Sequence, residues 1–256
     1  MNRLTDKVCV ITGAAGDIGR DAARLFINEG AKVLLVDRDP KKLDQLVSEL
    51  ATPNAIGIAA DVSNEKDVSD FMAAADKRFG GLDVVLANAG IAGPAGKTLE
   101  HCTVEEFDHV MSVNVRGVWL AIKHSTPFLR ARGGGSIVVT SSIAGLVGAG
   151  KAGPYVTSKH ALMGLSKTAA VELARDKIRV NTVNPGPVES SMMREIEHGF
   201  SPDNADNAKQ GILSTIPFGR YVHTDEVAKM MLFLASDDSS FCTGSAYVVD
   251  GGLVAI

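Results

Sequence analysis

Hydrophobic residues follow two alternating patterns along the chain. Short apolar runs, such as KVCVITG at 7–13 and KVLLVD at 32–37, stop at glycine, proline or acidic residues. Longer segments between them carry apolar residues every three or four positions, as in IGRDAARLFINEGA at 18–31. The first pattern predicts short buried strands, and the second predicts amphipathic helices.

Seven strands are predicted, and helices separate them. The strand segments are KVCVITG, KVLLVD, AIGIAAD, LDVVLANAG, GSIVVTSS, IRVNTVNPG and SAYVVDGG. The two longest predicted helices cover Val104–Arg132 and Tyr155–Arg175. Strands that are apolar on both faces need helices on both faces, so the alternation predicts a doubly wound, seven-stranded parallel sheet. We expect one α/β domain of the Rossmann type over residues 1–256, with no internal repeat.

Residues 189–217 interrupt this alternation. A loop of this length in a compact domain is typically a lid or a binding segment. Flexible apolar side chains there would suit a partly apolar substrate. We therefore expect a substrate lid at 189–217 and an opposite wall at 91–98. The apolar residues of the loop are Met192, Met193, Ile196, Phe200, Ile212, Leu213 and Ile216.

Composition narrows the function classes. The 256 residues are 45% hydrophobic and 22% charged, which is ordinary for a globular protein. A net charge of −4 without a basic run argues against nucleic-acid or anionic-membrane partners. Cys9, Cys102 and Cys242 are scattered, and the six histidines lack metal-ligand spacing, so no disulfide framework or metal site is expected. The sequence has no signal-peptide pattern or membrane-spanning run, so we expect a cytoplasmic protein.

The glycine-rich turn TGAAGDIGR, at 12–20, joins the first strand to the first helix. Such a turn binds phosphate, because a helix N-terminus offers free N–H groups and glycine lets backbone approach a pyrophosphate. Asp17 adds a negative charge at this position. We predict that its carboxylate caps the helix beginning near Ile18, turned away from the pyrophosphate, and that Arg20 offsets its charge.

Asp37 ends the second strand, eighteen residues after Gly19. A carboxylate there accepts hydrogen bonds from ribose hydroxyls and repels a 2′-phosphate, which favours NAD over NADP. The alternative is an ordinary polar residue at a strand end. Arg38 is interpreted as a solvated charge or an adenine-stacking group, although an arginine here could pair with a 2′-phosphate.

The segment YVTSK places Tyr155 and Lys159 on one face of a helix. A free tyrosine has a pKa near ~10, and a nearby ammonium lowers that pKa by stabilising the phenolate. The pair could then act as a general base for an alcohol or a general acid for a ketone. Because Y-x-x-x-K is common by chance, the pair alone does not establish an active site.

Together these motifs resemble the short-chain dehydrogenase/reductase family, standard-length branch, from Thr12 to the terminal VVDGG. That branch usually carries T-G-x-x-x-G-x-G, whereas this chain has T-G-x-x-G-x-x-G. The resemblance implies that Ser142, thirteen residues before Tyr155, orients the substrate oxygen, and only this spacing separates it from Ser141. It also implies that Asn114 holds a water for proton relay near Lys159.

The resemblance further implies a dinucleotide site along the strand ends. Its residues are Gly13, Gly16, Asp17, Ile18, Gly19, Asp37, Arg38, Asp61, Val62, Asn88, Ala89, Gly90, Tyr155, Lys159, Pro185, Gly186, Val188 and Ser190.

These inferences predict an NAD-dependent oxidoreductase that interconverts a secondary alcohol and its ketone, with a cyclic or hydrophobic alcohol favoured. A polyol or sugar dehydrogenase of the same family is an alternative. The extended epimerases and dehydratases share the T-G-x-x-G-x-x-G motif, but they carry a further substrate domain. A non-catalytic dinucleotide sensor is the third alternative. The family usually forms tetramers or dimers through its two long helices and its last strand, so we expect a homotetramer or homodimer.

Overall fold

The structure is a computed structural model that describes residues 2–255. Within these residues, seven strands form one parallel sheet in the order β3-β2-β1-β4-β5-β6-β7. This confirms the predicted seven-stranded sheet. The strands are β1 Val8–Thr12, β2 Lys32–Asp37, β3 Ala55–Ala59, β4 Val84–Ala87, β5 Gly135–Thr140, β6 Ile178–Pro185 and β7 Ala246–Val249.

Helices cover both faces of the sheet, with α1, α2 and α9 on one side and α3, α5 and α6 on the other. None of the helices in the described part of the chain is both long and apolar enough to cross a bilayer. The α-helices are α1 Asp17–Asn28, α2 Pro40–Leu50, α3 Glu65–Phe79, α4 Val104–Met111, α5 Gly117–Ala131, α6 Gly153–Leu173, α7 Ser191–Phe200, α8 Ala205–Leu213 and α9 Thr224–Ala235.

The side chains of the central strand β1 point alternately to the two faces of the sheet, and the core accordingly has two layers. Cys9 and Ile11 of β1 pack in the layer that contains Phe26 of α1. Val10, on the opposite face of β1, belongs to the layer that contains Phe71 of α3. Successive side chains of a strand point to opposite faces, so β1 is buried on both sides, as its unbroken apolar run requires.

The predicted helix Val104–Arg132 is present, but it is not a uniform α-helix. Residues Ser112–Arg116 form a π-helical segment between α4 and α5. Such segments are rare and often mark functional positions, because the extra residue shifts the side chains that follow.

The region 189–217 was expected to be an irregular loop. It instead contains two helices, α7 and α8. Each helix has a polar N-cap residue. Ser190 Oγ accepts a hydrogen bond from Met193 N at 3.2 Å, and Asn204 Oδ1 accepts one from Asn207 N at 3.2 Å. These caps satisfy free helix N–H groups and help two short helices to form in this segment.

The strand order reverses between β1 and β4. The chain runs outward from β1 to β2 and β3, then returns to the other side of β1 as β4. In doubly wound sheets, ligands bind in the crevice at such a reversal, beyond the carboxyl ends of the strands. The predicted site residues follow these strand ends.

Candidate functional site

A cavity of about 390 Å³ lies at the carboxyl ends of the strands. All the predicted dinucleotide-site residues line it, and so does Ser142. Asn114 lies behind the wall and is buried. Tyr155, Lys159 and Ser142 therefore share one cavity with the glycine turn, as the sequence predicts for a dinucleotide-dependent site.

Two of the three turn glycines are required by close backbone approach. Gly13 has φ of +63°, which disfavours any side chain. A Cβ on Gly19 would lie 2.1 Å from the Gly13 carbonyl oxygen, whereas one on Gly16 would lie 3.4 Å from it. The turn is thus a tight backbone cradle at the start of α1, where N–H groups are available for an anion.

The prediction that Asp17 caps α1 is wrong. Gly16 is the N-cap residue of α1, and no side chain caps this helix. Asp17 Oδ2 instead accepts hydrogen bonds from Ser191 N at 2.7 Å and Ser191 Oγ at 2.8 Å. The carboxylate therefore serves the N-terminus of α7. Arg20 does not offset the charge of Asp17 as expected. Its Nη1 lies 3.4 Å from Glu49 Oε2 and pairs with that carboxylate instead.

Asp37 is fixed by backbone at the end of β2. Its Oδ2 accepts a hydrogen bond from Ala15 N at 3.0 Å, and its Oδ1 accepts one from Asp39 N at 3.1 Å. Each carboxylate oxygen has further acceptor capacity. The side chain is thus held against the glycine turn, with room to accept hydrogen bonds from a ribose.

The charge of Arg38 acts on the neighbouring carboxylate of Asp61. Burial alone would raise the pKa of Asp61, but hydrogen bonds from Ser63 N and Oγ and the charges of Arg38 and Arg116 hold that pKa below its usual range. An arginine that faces a carboxylate is less available to a phosphate.

Asn88 ties together the ends of three strands. Its Nδ2 donates to Thr12 O at 3.1 Å, and its Oδ1 accepts a hydrogen bond from Thr140 Oγ1 at 3.0 Å. Thr12 Oγ1 accepts hydrogen bonds from Asn88 N and Ala89 N at 3.0 and 3.1 Å. The side chains of Thr12 and Thr140 thus set the geometry of the crevice, a role that the sequence reasoning missed.

Lys159 and Tyr155 lie side by side on α6. Lys159 Nζ is 5.4 Å from the centre of the Tyr155 ring and donates a hydrogen bond to Thr140 O at 2.8 Å. Burial lowers the pKa of Lys159 to about 8, because desolvation disfavours the ammonium. The ammonium thus persists near neutral pH and is lost in mild alkali.

The expected lowering of the tyrosine pKa is absent from the free protein. Burial raises the pKa of Tyr155 above its ordinary value, and a hydrogen bond with Ser142 opposes this rise only in part. Desolvation penalises the phenolate more than its neighbours stabilise it. A further positive charge is needed before Tyr155 can serve as a base near neutral pH.

Ser141 and Ser142 both line the cavity, but their hydroxyl groups have different partners. Ser142 lines the cavity beside Tyr155, and its Oγ accepts a hydrogen bond from Ala144 N at 3.1 Å. Ser141 is buried, and its hydroxyl donates to Lys159 O at 3.1 Å. Asn184 Nδ2 donates a hydrogen bond to Ser142 O at 2.9 Å and so holds the serine backbone in place. The sequence reasoning did not single out this side chain.

Asn114 occupies the π-helical segment. Its Oδ1 accepts a hydrogen bond from Ile91 N at 2.8 Å, and its Nδ2 donates to Ile91 O at 2.9 Å and to Ser158 Oγ at 3.0 Å. The side-chain amide therefore holds the loop after β4 against α6. A role for Asn114 in proton relay stays a prediction.

The far end of the cavity is apolar. Of the predicted lid residues, Met192, Met193, Ile196 and Phe200 line it, whereas Ile212, Leu213 and Ile216 lie outside it. A third wall, at 143–152 between Ser142 and Tyr155, was not predicted, although its position between two catalytic candidates was a usable signal. The further apolar lining residues are Ile91, Ala92, Ala95, Ile143, Ala144, Ala149 and Ala152.

Within residues 2–255, no three His, Cys, Asp or Glu side chains lie together in a position to hold a metal ion.

Known proteins resemble this chain over almost its whole length. A family model described as enoyl-(acyl carrier protein) reductase matches residues 13–254. Momilactone A synthase of Oryza sativa subsp. japonica is 39% identical over 98% of this chain and 91% of its own length. Cyclohexanol dehydrogenase of Acinetobacter sp. (strain SE19) is 36% identical over 98% of this chain and 96% of its own length.

A solved structure is also very similar. The crystal structure of levodione reductase has a TM-score of 0.95 and 34% sequence identity, and covers 98% of this chain and 99% of that one. Similarity at this level extends over the strands, the helices and the lid region together. This chain therefore belongs to the short-chain dehydrogenase/reductase family.

Proposed function

We propose that this oxidoreductase uses NAD to interconvert a secondary alcohol and its ketone, and that a cyclic or otherwise hydrophobic substrate is favoured. One observation carries the proposal. Ser142 and Tyr155 line the same cavity as both the glycine turn and the apolar residues of α7. A substrate oxygen held by these two hydroxyls would have its carbon skeleton among apolar side chains.

Each residue has a definite task in this proposal. Ser142 donates a hydrogen bond that orients the substrate oxygen. Tyr155 takes the hydroxyl proton during oxidation and returns it during reduction. Lys159, held by Thr140 O, keeps a positive charge beside the phenol below about pH 8. The dinucleotide, when bound, supplies the hydride acceptor or donor.

The cradle of the glycine turn suits a dinucleotide. Gly19 has no space for a side chain against the Gly13 carbonyl, so the turn brings backbone close to the cavity there. Asp37 supports NAD over NADP, since a fixed carboxylate at this strand end would repel a 2′-phosphate. The attraction of Arg38 to Asp61 supports the same preference.

The substrate preference rests on the lining of the far compartment. Met192, Met193, Ile196 and Phe200 offer flexible apolar contact, and the alanines on the facing walls leave space. A polyol would find few partners for its hydroxyls among these apolar side chains, which is costly. The similarity to cyclohexanol dehydrogenase supports a cyclic alcohol.

The alternatives are weaker. A sensor would not need Ser142, Tyr155 and Lys159 around one cavity. The match to the levodione reductase structure over almost its whole length supports the standard-length branch over an extended epimerase or dehydratase.

The assembly proposed is a homotetramer or a homodimer. Trp119 on α5 is 46% exposed and Val171 on α6 is 79% exposed, and Phe241, before β7, is fully exposed. These are large apolar side chains on the elements expected to form the subunit contacts. Light scattering of the purified protein measures the assembly. The cytoplasmic location stays a prediction.

The decisive experiment is a substrate screen that follows NADH and NADPH absorbance in parallel reactions. We expect turnover of cycloalkanols or their ketones with NAD, and lower kcat/KM with NADP. Replacing the tyrosine (Tyr155→Phe) should abolish turnover while NADH binding, followed by fluorescence, survives. Ser141→Ala is the matched control, because Ser141 lies beside Ser142 but its hydroxyl is hydrogen-bonded to Lys159 O.

Near-normal turnover by Tyr155→Phe would refute the catalytic assignment. Strong turnover of a free polyol with none of a cycloalkanol would reverse the substrate proposal. NAD binding without turnover of any alcohol or ketone would favour the sensor.

A further inference from the structure

The lid segment, defined here as residues 189–223 between β6 and α9, is closed at its base. Glu189 N donates a hydrogen bond to Val222 O at 2.9 Å, and Val222 N donates one to Pro187 O at 2.8 Å. Val188 and Val222 form an isolated bridge. The two stems of the segment therefore lie side by side.

Two carboxylates of α1 hold the two ends of this segment. Asp17 accepts the hydrogen bonds from Ser191, at the front of the segment. Asp21 Oδ2 accepts a hydrogen bond from Thr224 Oγ1 at 2.5 Å, just beyond the rear end. Asp17 and Asp21 are four residues apart, so they lie on one face of α1. The helix that begins at the glycine turn is thus fastened to both ends of the segment.

The two attachments differ in their surroundings. Asp17 and Ser191 line the cavity, whereas Asp21 does not. Asp17 is in the first turn of α1 and also contacts the first residue of α7, so its charge lies at two helix N-termini. Both N-termini carry positive partial charge, which stabilises the carboxylate.

Asp17 and Ser191 are exposed to the cavity, where water competes for their hydrogen bonds. A dinucleotide in the cavity would displace that water. In the drier, lower-dielectric surroundings the charge-assisted bonds become stronger. The attachment at Asp17 should therefore tighten when the dinucleotide binds, whereas the attachment at Asp21 should not respond.

We propose that Asp17 is a positioning residue that clasps α7 to the glycine turn and thereby slows release of the bound dinucleotide. The inference rests on the proposed dinucleotide site. The same clasp fixes the front of α7, which carries Met192 and Met193 into the substrate compartment.

The test measures NADH dissociation by stopped-flow fluorescence and hydrogen exchange of residues 189–200 with and without NADH. For Asp17→Gly we expect dissociation at least about tenfold faster, or about 1.4 kcal/mol, and loss of the protection that NADH gives to 189–200. Asp17→Asn keeps an acceptor without the charge and should lie between this variant and wild type. Ser191→Ala removes one of the two hydrogen bonds to Asp17. Its NADH dissociation rate should also lie between those of Asp17→Gly and wild type.

Asp21→Asn is the matched control, because it weakens the rear attachment outside the cavity. It should leave NADH dissociation unchanged. Tighter NADH binding by Asp17→Gly, with protection of 189–200 unchanged, would overturn the clasp and show repulsion of the pyrophosphate instead. The clasp would also be overturned if Asp17→Gly released NADH at the wild-type rate and kept the wild-type protection of residues 189–200. Failure of wild-type protein to bind NADH would overturn the proposed function as well, so the two failures are distinguishable.

Discussion

At the residue scale, the order of ionisation at Tyr155 and Lys159 decides the chemistry. Burial lowers the pKa of Lys159 to about 8 and raises the pKa of Tyr155. In the free protein the lysine therefore loses its proton before the tyrosine does. The phenolate needs a second positive charge, and the oxidised nicotinamide of the proposed cofactor would supply one.

This order predicts the titration of the tyrosines. The chain has three, and the pKa values of Tyr155, Tyr221 and Tyr247 are all raised, chiefly by burial. We expect the free protein to show no phenolate absorbance below pH ~10. With saturating NAD, one tyrosine should titrate below that pH. Ultraviolet difference spectra recorded against pH measure both states.

In Tyr155→Phe the early titration with NAD should disappear, whereas Tyr247→Phe should retain it. A phenolate forming below pH ~10 without NAD would contradict the ionisation order, since it would mean that the protein alone lowers the pKa of a tyrosine.

The glycines of the turn between β1 and α1 differ in how much space they leave for a side chain. Alanine at Gly19 would place a Cβ 2.1 Å from the Gly13 carbonyl oxygen, and backbone cannot move aside easily. We expect Gly19→Ala to lower the free energy of unfolding by about 1–3 kcal/mol or more. Gly16→Ala, with φ of −75° and its nearest contact at 3.4 Å, should change it by less than about 1 kcal/mol.

Urea unfolding of both variants measures the difference. Equal stability of the two would mean that the turn relaxes enough to accept a side chain at either position, and the close approach at Gly19 would then have no energetic role.

Elements were predicted well where a local pattern determines them. The unbroken apolar runs of β1 and β2 reflect burial on both faces, and each run gave a strand. The helix α7 was missed, although Ser190 stands at its start as an N-cap. Helices as short as α7 and α8 are marginal on their own and depend on caps and on contacts that are distant in sequence, so the segment resembles a loop.

The site residues were likewise predictable where their proximity follows from local spacing in the sequence. Tyr155 and Lys159 are one helical turn apart, so their proximity follows from spacing. The bonds between Asp17 and Ser191 join residues 174 positions apart, and no local pattern indicates them. The pKa of Tyr155 was misjudged for a related reason, because desolvation depends on the whole surroundings of the ring.

At the scale of the whole molecule, two buried groups act on stability in opposite directions as pH rises. Burial, with a smaller contribution from Asp83, raises the pKa of Cys9 far above its usual value. The native thiol thus stays protonated while the unfolded thiol ionises above pH ~8.5, so this group lowers stability as pH rises. Lys159 is neutral in the native state above about pH 8 but charged when unfolded up to pH ~10.4, so it raises stability as pH rises.

The two contributions should nearly cancel in wild type between pH ~8.5 and ~9.5, because each has a slope approaching about 1.4 kcal/mol per pH unit with opposite sign. Cys9→Ala removes the unfavourable slope, so its free energy of unfolding should rise with pH across this window. Lys159→Met removes the favourable slope, so its free energy of unfolding should fall. Urea titrations at several pH values give these slopes, which are independent of the constant cost of each substitution. Parallel curves for wild type and both variants would mean that neither group is desolvated in the native state, and the ionisation order assigned to the active-site pair would lose its basis.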